Sequence, residues 1–200
     1  IQLIRVPIID SKKEEMKMLF SDIIQGMRGQ FKGQQNNRNK PTEKPVKYRP
    51  ISDAELMANP ATPTWLVEPL FPADGTGIIV GDGGVRKSIL AELLGLCVAS
   101  GLPFLGKFTV KQGSVLIIDE ENGRLLIRKR LQKLKRGLNL DKRDLPIYFL
   151  SNEGIRLDND DSYNALKSLL REMPKGKRPI LIIVDYLIRV HGADENSAKE

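Results

Sequence analysis

A glycine-rich loop between two apolar runs constrains this chain more than any other stretch. Gly77-Ile78-Ile79-Val80 reads as a buried strand, and Ile89 to Val98 reads as a buried helix. Between them stands Gly81-Asp82-Gly83-Gly84-Val85-Arg86-Lys87-Ser88. Strand, tight loop, Lys-Ser and helix, in that order, form the arrangement that cradles a nucleotide's phosphates. The loop's backbone N–H groups wrap the anion at the positive end of the helix. Gly83 and Gly84 let the chain fold tightly over it. Lys87 is expected to reach the β- and γ-phosphates, and Ser88 to place its hydroxyl on Mg²⁺. Residues 81–88 with Ile89 are the candidate binding set.

One residue departs from the pattern: Arg86 stands where a second glycine belongs. Its Cβ and stem occupy space where backbone and phosphate come close, which predicts weakened nucleotide binding. A guanidinium pairing with a phosphate is the opposite outcome. The plainest alternative is a glycine-rich strand-to-helix turn with no ligand.

Apolar residues make up 40% of the 200, enough for a real core with an appendage. No stretch has the 18 or so apolar residues of a membrane span, and Lys12, Lys13, Glu14 and Glu15 interrupt any secretory leader. The expectation is a cytoplasmic protein with no membrane partner. The single cysteine, Cys97, excludes a disulfide within the chain and a cysteine metal cluster. The chain starts at Ile1, which predicts a piece of a longer protein.

Three regions are expected. Residues 1–25 read as the helical remnant of an upstream domain, with a Ser11/Glu14 capping box and Met16, Leu19, Phe20, Ile23 and Ile24 at helical spacing. Residues 26–50 read as a basic flexible linker. Arg28, Lys32, Arg38, Lys40, Lys44, Lys47 and Arg49 face Glu43 alone, so most of the net charge of +7 lies there. Residues 51–200 read as an α/β domain. Its strands are expected at 77–80, 114–119, 146–150 and 179–185, and its helices at 87–100, 123–136 and 161–173. That alternation predicts a mainly parallel sheet covered by helices.

Ligands of such sheets bind beyond the carboxyl ends of the strands. Pro179 to Val184 ends in Asp185, the form of a strand whose aspartate faces Mg²⁺ opposite the loop serine. Ser114 to Ile118 runs into Asp119-Glu120-Glu121-Asn122, where one acid is placed to activate water. Spacing alone does not choose among the three, and a solvated loop entering a helix is the bland alternative. Residues 124–143 hold Arg124, Arg128, Lys129, Arg130, Lys133, Lys135, Arg136, Lys142 and Arg143, with Leu125, Ile127, Leu131, Leu134 and Leu138 as the apolar side. Nucleic-acid contact, a subunit interface and a solvated face all fit that pattern. His191 lies beyond Asp185 with no companion ligands for a metal.

The pieces together resemble the RepA-like branch of RecA-type P-loop ATPases, relatives of hexameric replicative helicases. They are Trp65-Leu66-Val67-Glu68, the loop at 81–88, Leu102-Pro103-Phe104-Leu105-Gly106, VLIIDEENGRLLIRKRL at 115–131 and IVDYLIRVHGADENSA at 183–198. The resemblance implies a RecA-like P-loop NTPase fold, incomplete at the C-terminus. It implies ATP and Mg²⁺ as cofactors, and DNA, single-stranded, and a homo-hexamer as partners of the intact parent. It points to Glu121 as the catalytic, water-activating acid beside Lys87, and to Ser88 and Asp185 as metal ligands. It places Arg189, His191, Asp194, Glu195 and Asn196 near the nucleotide. Tyr186 departs from the small residue expected after Asp185. The expected function is the ATPase core of a replicative helicase, impaired in this chain. The alternative is a non-catalytic DNA- or partner-binding module with a degenerate nucleotide site. A GTP switch or small-molecule kinase shares the loop, but no N-K-x-D guanine motif is present.

Overall fold

Two uninterrupted apolar runs become the centre of the sheet. In the computed structural model, which describes residues 2–5, 49–58, 62–157 and 159–185, strands β5 (Ser114–Asp119) and β7 (Pro179–Asp185) pair in parallel. Nearly every residue of both is buried, the signature of strands covered on both faces. Strand β6 (Ile147–Ser151) adds in parallel on the other side of β5.

The chain divides into two units, residues 1–12 with 64–200 and residues 13–63. In the smaller unit, Ser52 and Glu55 form a complete capping box on a one-turn helix, α1 (Asp53–Met57), none of whose residues is buried. The helix expected over residues 11–25 and its Ser11/Glu14 capping box lie outside the described residues, as does most of the linker.

The larger unit holds a five-stranded sheet that begins with β4 (Thr76–Ile79) and β1 (Gln2–Arg5), in the order β4-β1-β7-β5-β6. Strand β4 is the one leading into the glycine loop. Strand β1 is an element the sequence reading grouped with the upstream helix. It lies antiparallel between β4 and β7, so β4 and β7 point the same way. The sheet is thus mainly parallel and covered by helices, as expected, with one reversed strand, second from its β4 edge.

The core lies between this sheet and helix α2 (Lys87–Ser100). Leu94, Cys97 and Val98 of the helix pack on Val115, Ile117, Leu181 and Ile183, joined by Leu66 and Val67 of strand β2 (Trp65–Val67). That strand forms a small hairpin with β3 (Phe71–Pro72). Gly95 of α2 faces Ile117, Ile183 and Val115, and a Cβ there would meet all three at ordinary van der Waals distance. Gly101 ends the helix at φ 80°, its N–H donating to the Cys97 carbonyl.

The other helices are peripheral. In α3 (Arg124–Gly137) only Ile127 is buried, and Leu125, expected on the sheet side, is 66% exposed. In α4 (Asp160–Glu172) Tyr163 is buried but Leu169 is exposed, and Asn159 caps the first turn through Ser162 N–H. The strands and helices expected between residues 77 and 185 hold to within one residue at each end. Because Leu94 is fully buried at the centre of the α2–sheet contact, Leu94→Ala should cost about 3 kcal/mol. Urea unfolding should show a lower midpoint at unchanged slope.

Candidate functional site

The sheet register brings the sequence-predicted groups to one edge. Asp119 is paired with Asp185, while Leu3 bridges Ile78 and Val184. The last residue of β4, Ile79, therefore stands level with both acids, and the glycine loop springs from that row. This is the carboxyl edge, where parallel sheets bind ligands.

Gly81 to Arg86 are exposed and Lys87, Ser88 and Ile89 are half-buried. The loop closes on itself through Lys87, whose Nζ donates to the carbonyl oxygens of Gly81 (2.8 Å) and Asp82 (2.7 Å). The ammonium is thereby held at the mouth of the loop. Gly84 has φ 79°, and Arg86, at the N-cap of α2, has φ 64°. The second value explains why a glycine is expected there: the position needs the left-handed region, which costs an L-residue about 1–2 kcal/mol. Arg86 makes no side-chain cap, and no acid sits in the first turn of α2.

The three acids at the end of β5 separate into distinct environments. Asp119, 1% exposed, folds over its own turn. Its Oδ1 accepts from the N–H groups of Glu121 (3.0 Å) and Asn122 (2.7 Å), and both its oxygens accept from Asn122 Nδ2. Burial pushes the Asp119 carboxyl above its ordinary range, and those hydrogen bonds oppose the shift. Glu120 accepts from the backbone N–H groups of Glu153, Gly154 and Ile155, pinning the segment after β6. Glu121 alone of the three is exposed. By this elimination the structure separates Glu121 from its neighbours as the acid available to a ligand. Asp185 is 5% exposed, and its backbone oxygen accepts from Glu120 N–H.

Sequence reasoning missed Glu92. It is 4% exposed on α2, and its Oε1 lies 3.5 Å from Arg130 Nη1 of α3. Neither Glu92 Oε2 nor Arg130 Nη1 has a hydrogen-bond partner. The signal was an acid within the apolar run 89–98, a residue type almost never buried unless paired. Burial pushes its carboxyl up to about 7, the nearby Arg130 guanidinium opposes this, and Asp119 and Asp185 reinforce it. Arg189, His191, Asp194, Glu195 and Asn196 lie outside the described residues, as does Tyr186.

Among the described residues no three His, Cys, Asp or Glu side chains stand together as a metal site. Mg²⁺ does not require such a cage, since it is commonly held by one or two protein oxygens with phosphates and water. Ser88, at the start of α2, and Asp185, at the end of β7, carry oxygens of that kind. Among the described residues, no helix is long and apolar enough to cross a membrane.

A protein-family model described as AAA domain matches residues 42–200. No solved structure matches the chain.

The raised Glu92 carboxyl gives a signed pH dependence. The folded state holds this proton up to about pH 7, whereas the unfolded chain releases it near 4.5. The folded state therefore binds more protons between those values, and stability falls as pH rises through the window. Glu92→Gln should flatten the fall. The gain in urea midpoint over the parent should be larger at pH 8 than at pH 4.5.

Proposed function

The chain belongs to the AAA-domain family of P-loop ATPases, and from that premise we propose that it is the ATP-binding and hydrolysing core of a replicative-helicase-like motor. The observation that carries the reading is the common row of Ile79, Asp119 and Asp185, from which the phosphate loop and Glu121 both emerge. ATP would lie along residues 81–89 with its phosphates at the first turn of α2. Lys87 would exchange its loop carbonyls for β- and γ-phosphate oxygens. Mg²⁺, held by Ser88 and Asp185, would neutralise charge developing on the bridging and γ-phosphate oxygens. Glu121 would take the proton of the attacking water as its oxygen bonds to the γ-phosphorus and the bond to the β-phosphate oxygen breaks. Arg86 supports the expectation that binding is weak and turnover slow in this chain, since a non-glycine residue holds the left-handed N-cap position of α2, beside which the phosphates would lie.

DNA as the partner, and a ring of identical subunits as the working form, extend the proposal. The basic side of α3 supports the DNA part. Lys129, Arg130, Lys133 and Arg136, with Leu126 and Gln132, line a cavity of about 350 Å³ along the helix. A row of cations on one helix face suits the phosphates of a strand.

The second reading is a binding module whose nucleotide site is degenerate. The observation favouring it is the left-handed Arg86. Titration with a non-hydrolysable ATP analogue and Mg²⁺ separates the two. The ATPase reading expects saturable binding that Lys87→Ala weakens by about 10–100-fold, the loss of a charge-assisted contact. Glu121→Gln should keep binding and abolish turnover. Arg86→Gly should raise affinity. Absence of Mg²⁺-dependent binding in both the parent and Arg86→Gly would leave the second reading standing.

A further inference from the structure

Four hydrogen-bonded or ion-paired steps connect the helix rising from the phosphate loop to the acid across the edge. Glu92 on α2 faces Arg130 on α3 at 3.5 Å. Arg130 Nη2 donates to Asn122 Oδ1 at 3.4 Å. Asn122 Nδ2 donates to both Asp119 oxygens, at 3.2 and 3.1 Å. Asp119 Oδ1 accepts the backbone N–H of Glu121 at 3.0 Å. The amide of Asn122 can point only one way here. Its NH₂ must face the carboxylate, which leaves its oxygen for the guanidinium.

We infer that Arg130 is a positioning residue, which ties helix α2 to the turn presenting Glu121 and so sets where that acid stands relative to the phosphate loop. The inference rests on the proposed role of Glu121, and it deepens that role by naming what aims the acid. Arg130 is one of a row of cations on α3, but it differs from the others. Its side chain is 24% exposed and turned inward, whereas the cations around it are largely exposed.

Stability alone is a poor account of the pair. A buried ion pair adds little net stability even when well satisfied, and here Glu92 Oε2 and Arg130 Nη1 are both without hydrogen bonds. A fully apolar contact between α2 and α3 would pack as well and leave no orphan. What an apolar contact cannot do is hold Asn122 Oδ1 in a fixed direction. Asn122 in turn is pinned from below, since Ser151 Oγ donates to its backbone carbonyl at 2.9 Å. The turn is thus fixed on the β6 side by Ser151 and on the α2 side by Arg130.

The test is amide hydrogen exchange, followed by NMR on the full chain without nucleotide. Arg130→Met should speed exchange of the Glu121 backbone amide and the Asn122 side-chain amide about tenfold, the loss of one charge-assisted hydrogen bond. The α2 core amides of Leu94 and Val98 should not change. Arg130→Lys, which keeps the charge but not the fork, should restore part of the protection. If the uncompensated Glu92 unfolds Arg130→Met, the double variant Glu92→Gln with Arg130→Met removes both charges and is read in the same way. Unchanged exchange at Glu121 and Asn122, or a uniform rise that includes Leu94 and Val98, overturns the inference. A second arm adds the ATP analogue with Mg²⁺ and follows the amides of Gly81 to Ser88. Silence in that arm counts against the nucleotide reading, while the nucleotide-free exchange result still decides the role of Arg130.

Discussion

The hydrogen-bonded ladder between β5 and β7 fixes the height of every acidic group at the site. It sets Asp119 directly beside Asp185, and all later geometry inherits that pairing. Because the side-chain period of a strand is two, a slip of one residue by either strand would turn its aspartate to the opposite face and drive its core residues outward. Leu181 and Ile183, with Val115 and Ile117, hold the register by filling the space beneath α2. The chemistry at the edge is thus anchored by methyl groups several residues away.

Two acids brought so close need compensation. Asp119 finds it in the turn that follows, whose N–H groups and Asn122 amide all converge on its oxygens. Glu120 finds it in three backbone donors beyond β6. Their saturation leaves Glu121 exposed and available. Glu92 is the exception, a carboxyl in a dry position with an incompletely engaged guanidinium, and its raised proton affinity follows from that exposure to low dielectric.

Much of this was legible in the residues. The apolar runs at 114–119 and 179–185 named the central strands because nothing but a doubly covered strand tolerates such a sequence. The loop announced itself through its glycines, of which Gly84 takes φ 79°. The position of Arg86 in the left-handed region shows what the missing glycine would have relieved. Other features were hidden for definite reasons. Asp119, Glu120 and Glu121 are chemically near-identical, and only the three-dimensional paths of Glu153 to Ile155 and of Asn122 tell them apart. Residues 2–5 were not read as a strand because four residues give too short a period to recognise, and their partners lie some seventy and one hundred and eighty positions away. Leu125 looked like core by spacing, but α3 meets the body through Ile127 and leaves it in solvent.

The reversed strand β1 has a consequence for the integrity of the whole edge. The loop-bearing β4 has no backbone bond to β7; it is joined to the acid-bearing strands through four residues of β1. Such a seam is thin beside the long ladders of β5 with its neighbours. The near end of the glycine loop is therefore tied to the acid-bearing strands through this thin seam, while its far end is tied to them by α2, seated on Leu181 and Ile183.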